Sequence, residues 1–526
     1  MHGESSALVL AGPGRGKTAA ALAAVALWLE RYPNGRALFT SFSNAAVRRL
    51  AAACELPAGP RMQFRTFHSV AMEVLSNYGR FVGICGAARA LDKMAERMTA
   101  AECGWPSVTD PTYEVLLAEH ARATGQIPFS LMVPWATTLL GASATLRLAV
   151  SSQYPLIVVD EFQDTSAEQW EFLKLIGENS RVLALGDEHQ MIYGNQFQAT
   201  LERFQEFEQW KSISRTSITT PSFRCANAEI LQFADDVLYG RKTRAAGSGL
   251  SIWGVYRKQV RAKLASLWSK FSGNPGANAR LAFLVPSARK GEELMDALGN
   301  PDKKHAVPIP IRPRLEGDES RSDAFALLAY AAADYVSDRT DETMRRLAIA
   351  IETCVALNSR VNLSGREIEQ LFAVKSRAVS PLRDLLRDGG PPPDPVQLAP
   401  LILDAMQIEP RFATAAKSIG RHGSTRVPHC EKIEGSWFQG YRASRLPRLD
   451  GFVPAPSRTT LVSMHRCKGR EFEYVIAVVD PHAHRADADI GELRRLHYVA
   501  ATRAKRWLGI VYVKNDLGPV LQPVLG

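Results

Sequence analysis

Pro155-Leu156-Ile157-Val158-Val159-Asp160-Glu161-Phe162-Gln163-Asp164-Thr165 is a short β-branched run that delivers two adjacent carboxylates, Asp160 and Glu161, at its C-terminal end. An apolar run of this length, bounded by proline and by acids, reads as a buried parallel strand. Open α/β sheets keep their ligand sites at the carboxyl ends of such strands. Paired carboxylates there call for a phosphate, and the segment upstream supplies its cradle. Ala11-Gly12-Pro13-Gly14-Arg15-Gly16-Lys17-Thr18 follows the apolar residues Ala7 to Leu10 and precedes an alanine-rich stretch, Ala19 to about Leu29, that reads as helix. Strand, loop and helix stand in the order that a P-loop requires.

The residue types suit the chemistry. Gly12, Gly14 and Gly16 let backbone N–H groups approach phosphates, the helix N-terminus adds its dipole, and Lys17 brings a point charge to the transferred group. Thr18 and Asp160 are the expected magnesium ligands. Glu161 is expected to orient and deprotonate the attacking water, because phosphoryl transfer depends mainly on positioning and charge neutralisation. Separately, each motif is weak, since a glycine-rich turn is often only a loop and paired acids are usually a solvated surface. In this order they imply a triphosphate-hydrolysing site.

With 526 residues the chain is too long for one core, and its 46% hydrophobic content is that of a globular protein. Lys plus Arg outnumber Asp plus Glu by 64 to 54, a net charge of +10 that suits a polyanionic partner without proving one. No uninterrupted apolar segment approaches the roughly 20 residues that span a bilayer. Met1-His2-Gly3-Glu4-Ser5-Ser6 has no basic region ahead of an apolar one. The expectation is a cytoplasmic chain with no membrane partner. Its 7 cysteines are scattered without a CxxC pair, so neither a zinc ribbon nor an iron–sulfur cluster is signalled.

Along the chain, Arg36 to Thr40 reads as a second strand, followed by Ser41-Phe42-Ser43-Asn44-Ala45-Ala46 and a helical stretch from Val47 to Ala53. Phe64-Arg65-Thr66-Phe67-His68-Ser69 repeats the design. Phe42, Asn44, Thr66, Phe67 and His68 thereby gather on the nucleotide edge as candidates for holding a nucleic-acid strand by stacking and phosphate contacts. Phe42 and Phe67 can equally be core anchors. Tyr78 to about Ser152 reads as helical, with apolar residues at helical spacing in Arg89 to Met98 and Tyr113 to Arg122. Ala167 to Ile176 is an amphipathic helix, and the strand Arg181 to Leu185 ends in Gly186-Asp187-Glu188-His189-Gln190-Met191-Ile192-Tyr193, where Gln190 is the natural γ-phosphate sensor. Later strands are Arg280 to Val285, Tyr474 to Val479 and Trp507 to Val513. Ser322 to about Asn358 and Gly365 to Arg387 read as inserted helical material, and the stretch from Glu434 to Arg448, which interleaves aromatic and basic residues, reads equally as a nucleic-acid contact or a packed turn with solvated arginines.

The order of motifs resembles the superfamily 1 DNA helicases of the UvrD/Rep type. Ser222-Phe223-Arg224-Cys225 is similar to the family's fourth motif, Leu461-Val462-Ser463-Met464-His465-Arg466-Cys467-Lys468-Gly469-Arg470-Glu471-Phe472-Glu473 to the fifth, and Glu492 to Ala504 to the sixth. The resemblance implies an α/β fold of two RecA-like parallel-sheet P-loop NTPase lobes with helical insertions. It divides the chain into a first lobe at 1–77 and 153–220 interrupted by an insertion at 78–152, and a second lobe at 221–315 and 451–526 interrupted by a mainly helical insertion at 316–450. It also implies ATP and Mg2+ as cofactors, Phe223 stacked on adenine, Glu471 at the nucleotide, Arg224 and Arg503 closing on the γ-phosphate beside Gln190, and Tyr193 and His465 on DNA. Two departures stand out: only ten residues precede Ala11, where the family carries an adenine-reading glutamine further upstream, and Gly194-Asn195-Gln196-Phe197 replaces a tryptophan–arginine pair after Tyr193.

The implied activity is ATP-dependent 3′ to 5′ movement on single-stranded DNA with unwinding at duplex junctions, in repair, replication or anti-phage defence. The compact size also resembles the helicase-like partners of Gabija-type defence. That implies the alternative of a regulatory ATPase that senses DNA or nucleotides for a separate nuclease. An RNA-directed helicase is a third reading, since stacking and phosphate contacts are shared unless 2′-hydroxyls are read.

Overall fold

The computed structural model describes residues 5–41, 61–106, 110–192, 200–272 except 226 and 246, 281–287, 314–315, 318–356, 394–408, 459–480 and 489–526, with single residues and short pieces between them. By internal contacts the chain forms two units. One comprises Met1–Gly83, Ser130–Leu315 and Ser457–Gly526, and the other Ile84–Phe129 and Glu316–Pro456.

The first unit is built on two six-stranded sheets. In the first, the strands run in the order Met62–Thr66, Ala37–Ser41, Leu156–Asp160, Arg181–Gly186, Ala7–Ala11, Arg215–Ile218, all parallel. Parallel strands bring their carboxyl ends to one edge, so Ala11, Ser41, Thr66, Asp160 and Gly186 all end there. The Leu156–Asp160 strand is buried at every position, as an apolar run covered on both faces must be. Val9, Phe39, Val158 and Leu185 pack with Ala21, Val25 and Trp28 of the helix Lys17–Arg31, which fixes that helix, and Lys17 at its start, against the sheet.

The second sheet has the order Arg314–Leu315, Thr459–Ser463, Leu281–Val285, Phe472–Val479, Ala504–Val513, Leu250–Val255, again all parallel. Alternate residues of one strand enter different cores: Ala282 and Leu284 pack on one face, Leu281, Phe283 and Val285 on the other. That alternation is the period-two signature of a sheet sandwiched between helical layers. The fold is thus the mixed α/β, two-sheet parallel arrangement expected for RecA-like lobes.

Helix starts follow local chemistry. Ser166 caps Ala167–Ile176 through a capping box in which its side chain accepts from Gln169 N and the Gln169 side chain accepts from Ser166 N. Such a cap is worth about 1 kcal/mol. Thr66 caps Phe67–Tyr78, its hydroxyl accepting from Ser69 N at 3.2 Å.

Three readings of the sequence change. Arg89 to Met98 is not one helix: Arg89–Leu91 is a strand paired in parallel with Gln126–Pro128, and the helix runs Lys93–Glu102. The Asp92 side chain accepts from Ala95 N at 3.0 Å and so starts the helix after the strand. The stretch from Tyr78 to Ser152 therefore contains a small sheet, and its last part, from Ser130, belongs to the unit that holds the two large sheets. Arg215–Ile218 and Leu250–Val255 are strands that the sequence pattern did not mark, because each is an edge strand of largely half-exposed residues whose state is set by its one neighbour. The Val47 to Ala53 and Gly365 to Arg387 helices and most of Trp437 to Arg448 lie largely outside the described residues.

In the second unit, the helix Asp318–Ser337 packs on Asp341–Ala356 and on Pro395–Met406, burying Ala324 to Ala333 completely or nearly so. Buried Asp334 ties this core together by accepting from Trp437 N at 2.8 Å, Phe438 N at 3.1 Å and the Ser436 hydroxyl. No single described helix is long and apolar enough to cross a membrane.

Phe67 is 1% exposed. Its ring therefore belongs to the core and offers no face to a base, which corrects its assignment as a nucleic-acid contact. Phe67→Ala should lower stability by about 3–5 kcal/mol, the usual cost of emptying a buried phenylalanine site. Single-strand affinity of the folded protein should stay unchanged. A melting curve beside a polymer titration checks this, and weakened binding at an unchanged melting temperature would restore the stacking role.

Candidate nucleotide and interlobe site

The P-loop is closed over by a segment from the far side of the chain. Gly14 and Gly16 have φ of +71° and +85°, left-handed values that favour glycine. A Cβ at Gly14 would also meet Arg224 Cβ at 2.4 Å and Ser222 Oγ at 2.5 Å, so two backbones approach there as closely as they can. Phe223 N donates to Gly14 O at 2.8 Å and the Ser222 hydroxyl to Pro13 O at 3.1 Å. Phe223 is 79% exposed, and its ring edge lies 3.8 Å from where a Cβ on Gly16 would be. An exposed aromatic ring held beside a phosphate cradle is placed to stack on a nucleotide base. Lys17 donates to Ala11 O, and its ammonium lies 3.9 Å from Asp187 Oδ2.

Asp160 ends its strand buried, and Glu161 follows in the left-handed region at φ 53°, ψ 44°. A non-glycine residue held there costs about 1–3 kcal/mol and is typical of functional sites. The turn Phe162–Asp164 pins it: Asp164 N donates to Glu161 O at 2.9 Å, and Gln163 Nε2 donates to Glu161 Oε2 at 2.8 Å. The Glu161 carboxylate is thereby held by Gln163 while Asp160 stays at the end of the strand. Hard oxygen donors from Thr18 and Asp160 match what magnesium takes from a protein when phosphates supply the rest. No group of three or more His, Cys, Asp or Glu among the described residues forms a self-sufficient metal site.

Second-sheet cations reach the first sheet's loops. Arg503 is 1% exposed and donates through Nη2 to Gln190 Oε1 at 3.0 Å, while its Nε donates to Val499 O at 2.9 Å. Lys468 donates to Asp164 Oδ1 at 2.7 Å and to Gln190 O, and lies 2.6 Å from Asp164 Oδ2. Arg495 Nε donates to Met191 O at 2.8 Å. Arg224 Nε is 2.8 Å from Glu471 Oε1. The angle is not that of a hydrogen bond, however, and Arg224 Nε and Nη1 have no hydrogen-bond acceptor among the described residues. The Arg224 side chain starts against Gly14, and its guanidinium keeps donors that fit an anionic ligand. Glu471 also pairs with Lys505 at 3.0 Å. Burial alone would raise its carboxyl, and the charges of Arg224, Lys505 and Arg503 outweigh that and hold it below the ordinary glutamate value. Glu471 thus stands behind Arg224 and orients it.

The structure brings Gly12, Gly14, Gly16, Lys17, Phe223 and Arg224 together on one side and Gln190 and Arg503 on the other. Among the nucleic-acid candidates, Thr66 is spent on its helix cap, His68 is half-buried with its pKa lowered by that burial, and His465 is half-buried in the turn after Thr459–Ser463. Phe42, Asn44 and Tyr193 lie outside the described residues. Sequence reasoning assigned no role to Gln163, Asp164, Asp187 or Lys468. The one available signal was their place inside the motifs, because partners 304 residues apart, as in Asp164 and Lys468, leave no spacing to read.

Burial pushes the Asp164 carboxyl up to about 6 although the Lys468 ammonium beside it pulls the other way. Lys468→Met removes that counter-charge and raises the folded value further above the unfolded one of about 3.9. An acid whose folded pKa is raised loses stability as pH climbs from the unfolded to the folded value. The variant and the parent should therefore melt most alike below about pH 6. The gap should widen as pH rises above about 6, approaching the roughly 3–5 kcal/mol typical of a broken buried pair. A gap that does not grow with pH would show that Lys468 is not the counter-ion.

Residues 2–196 match the family described as AAA domain, and residues 459–511 match the UvrD-like helicase C-terminal domain. DNA helicase II of Haemophilus influenzae is 23% identical over 419 residues, covering 68% of this chain and 55% of that protein. DNA helicase II of Salmonella typhimurium is 22% identical over 606 residues, covering 97% and 83%. Exonuclease/helicase subunit RexA of Lactococcus lactis is 25% identical over 122 residues, covering 23% and 10%. The chain spans about half the length of the Haemophilus relative. Both family matches fall on the segments that carry the P-loop, the paired carboxylates and the last two motifs, and in those segments the chain is similar to the UvrD/Rep-like superfamily 1 helicases.

Proposed function

We propose that the protein is an ATP-driven motor that moves 3′ to 5′ along single-stranded DNA and opens duplex junctions. The observation that supports this reading is the bond from Arg503 to Gln190, which joins an arginine just before a second-sheet strand to the loop after a first-sheet strand. Lys17 and the P-loop amides bind the β- and γ-phosphates, and Phe223 covers the base. Thr18 and Asp160 would hold magnesium, which would neutralise phosphate charge when bound. Glu161 takes the proton of the attacking water, and Gln190, Arg224 and Arg503 face the charge that develops on the γ-phosphoryl group. Because those arginines belong to a different part of the fold from Lys17, hydrolysis and lobe closure are linked, and closure and release become movement.

ATPase rates with single-stranded DNA, RNA, duplex and no polymer test the substrate. Stimulation by single-stranded DNA supports the motor, and stimulation by RNA alone overturns the DNA reading. Nucleotide binding without stimulated turnover favours a regulatory ATPase serving a partner such as a nuclease, the pairing that the name of the Lactococcus relative suggests.

Glu161→Gln should keep nucleotide and DNA binding while turnover falls by orders of magnitude. Arg503→Lys keeps a buried cation but loses the fork. It should cut DNA-stimulated hydrolysis by about 10³-fold, the scale of an arginine finger. A folded Arg503→Lys protein with a normal rate would remove Arg503 from the γ-phosphate.

A further inference from the structure

A single line of hydrogen bonds runs from Glu161 to Arg503. Gln163 Nε2 donates to Glu161 Oε2 at 2.8 Å, and Asp187 N donates to Gln163 Oε1 at 3.0 Å. Gln190 Nε2 donates to Asp187 Oδ2 at 2.6 Å, and Arg503 Nη2 donates to Gln190 Oε1 at 3.0 Å. Each amide is fixed in orientation by its two neighbours. Turning Gln163 over would set its NH2 against the Asp187 N–H and its carbonyl against the Glu161 carboxylate, and turning Gln190 would set donor against guanidinium. Gln163, Asp187, Gln190 and Arg503 are all buried, so water does not substitute for a lost link.

Asp187 is the branch point. Its Oδ1 is taken by His189 N at 3.1 Å, and its Oδ2 serves Gln190 and also lies 3.9 Å from Lys17 Nζ. The P-loop lysine and the interlobe glutamine therefore share one carboxylate oxygen.

We propose that Asp187 is a positioning residue that exchanges partners with the nucleotide. Its Oδ2 holds Lys17 and Gln190 together. A triphosphate draws Lys17 onto its own oxygens and leaves Asp187 to Gln190 alone, so that the state of the P-loop is passed through Gln190 to Arg503, and through Gln163 to Glu161. No bond forms or breaks in this exchange except hydrogen bonds and an ion pair. The inference rests on the proposed ATP site.

Asp187→Asn tests it, because asparagine keeps an acceptor for Gln190 and loses the charge that competes for Lys17. A fluorescent ADP analogue with magnesium, without polymer, should bind the variant more tightly by about tenfold, within the range of ordinary site coupling. A merely structural defect would weaken binding. DNA-stimulated kcat should fall in the same variant, because Gln190 no longer registers the lysine's departure. In a Lys17→Ala background, Asp187→Asn should leave nucleotide affinity unchanged, closing a double-mutant cycle. Melting curves without nucleotide establish that each protein is folded, and Asp187→Ser, with the same loss of charge, replaces a variant that is not. Equal affinity of parent and variant, or an equal gain in the Lys17→Ala background, overturns the exchange. Tighter binding in a chain that never hydrolyses ATP would uphold the exchange and sink the motor.

Discussion

Two cations of the second sheet, Lys468 and Arg503, are buried against acceptors of the first, and the rest of the site is arranged around that constraint. A buried ammonium or guanidinium is tolerable only where partners fill its donors. Lys468 finds Asp164 and Gln190 O; Arg503 finds Gln190, Thr502 and the carbonyl of Val499. Gln190 is common to both, and so its loop cannot move without disturbing two desolvated charges.

The same logic separates the arginines. Arg503 has acceptors for its donors, whereas Arg224 keeps Nε and Nη1 without hydrogen-bond acceptors among the described residues and stands against Gly14. One guanidinium is committed to the lobe junction, the other is poised at the phosphate cradle with Glu471 behind it. Glu161 is a further case, since its left-handed backbone is invisible in a strand pattern and follows from the turn that Gln163 and Asp164 complete.

Much of the architecture was legible because its signals are local. An apolar run ending in Asp160-Glu161, and a glycine loop between a strand and a helix, carry their own meaning in period and residue type. The edge strand Arg215–Ile218, with three polar residues in succession, carries no such signal and exists because Leu8 to Ala11 offer it a register. Arg89–Leu91 failed for the opposite reason: its residues suit the helix pattern that begins just after it, and only the pairing with Gln126–Pro128 makes it a strand.

By itself the sequence determined the glycine loop and the paired carboxylates, their order, and their placement at the ends of strands, because backbone propensity and short-range spacing encode these. Tertiary structure decided which charges meet. The pairs Lys468 with Asp164, Arg503 with Gln190 and Lys17 with Asp187 join residues more than a hundred positions apart, and burial selects them from many sequence-compatible alternatives. It also decided that Phe67 is core, because whether an aromatic ring faces a base or a neighbouring helix depends on what covers it, and a sequence does not record its cover.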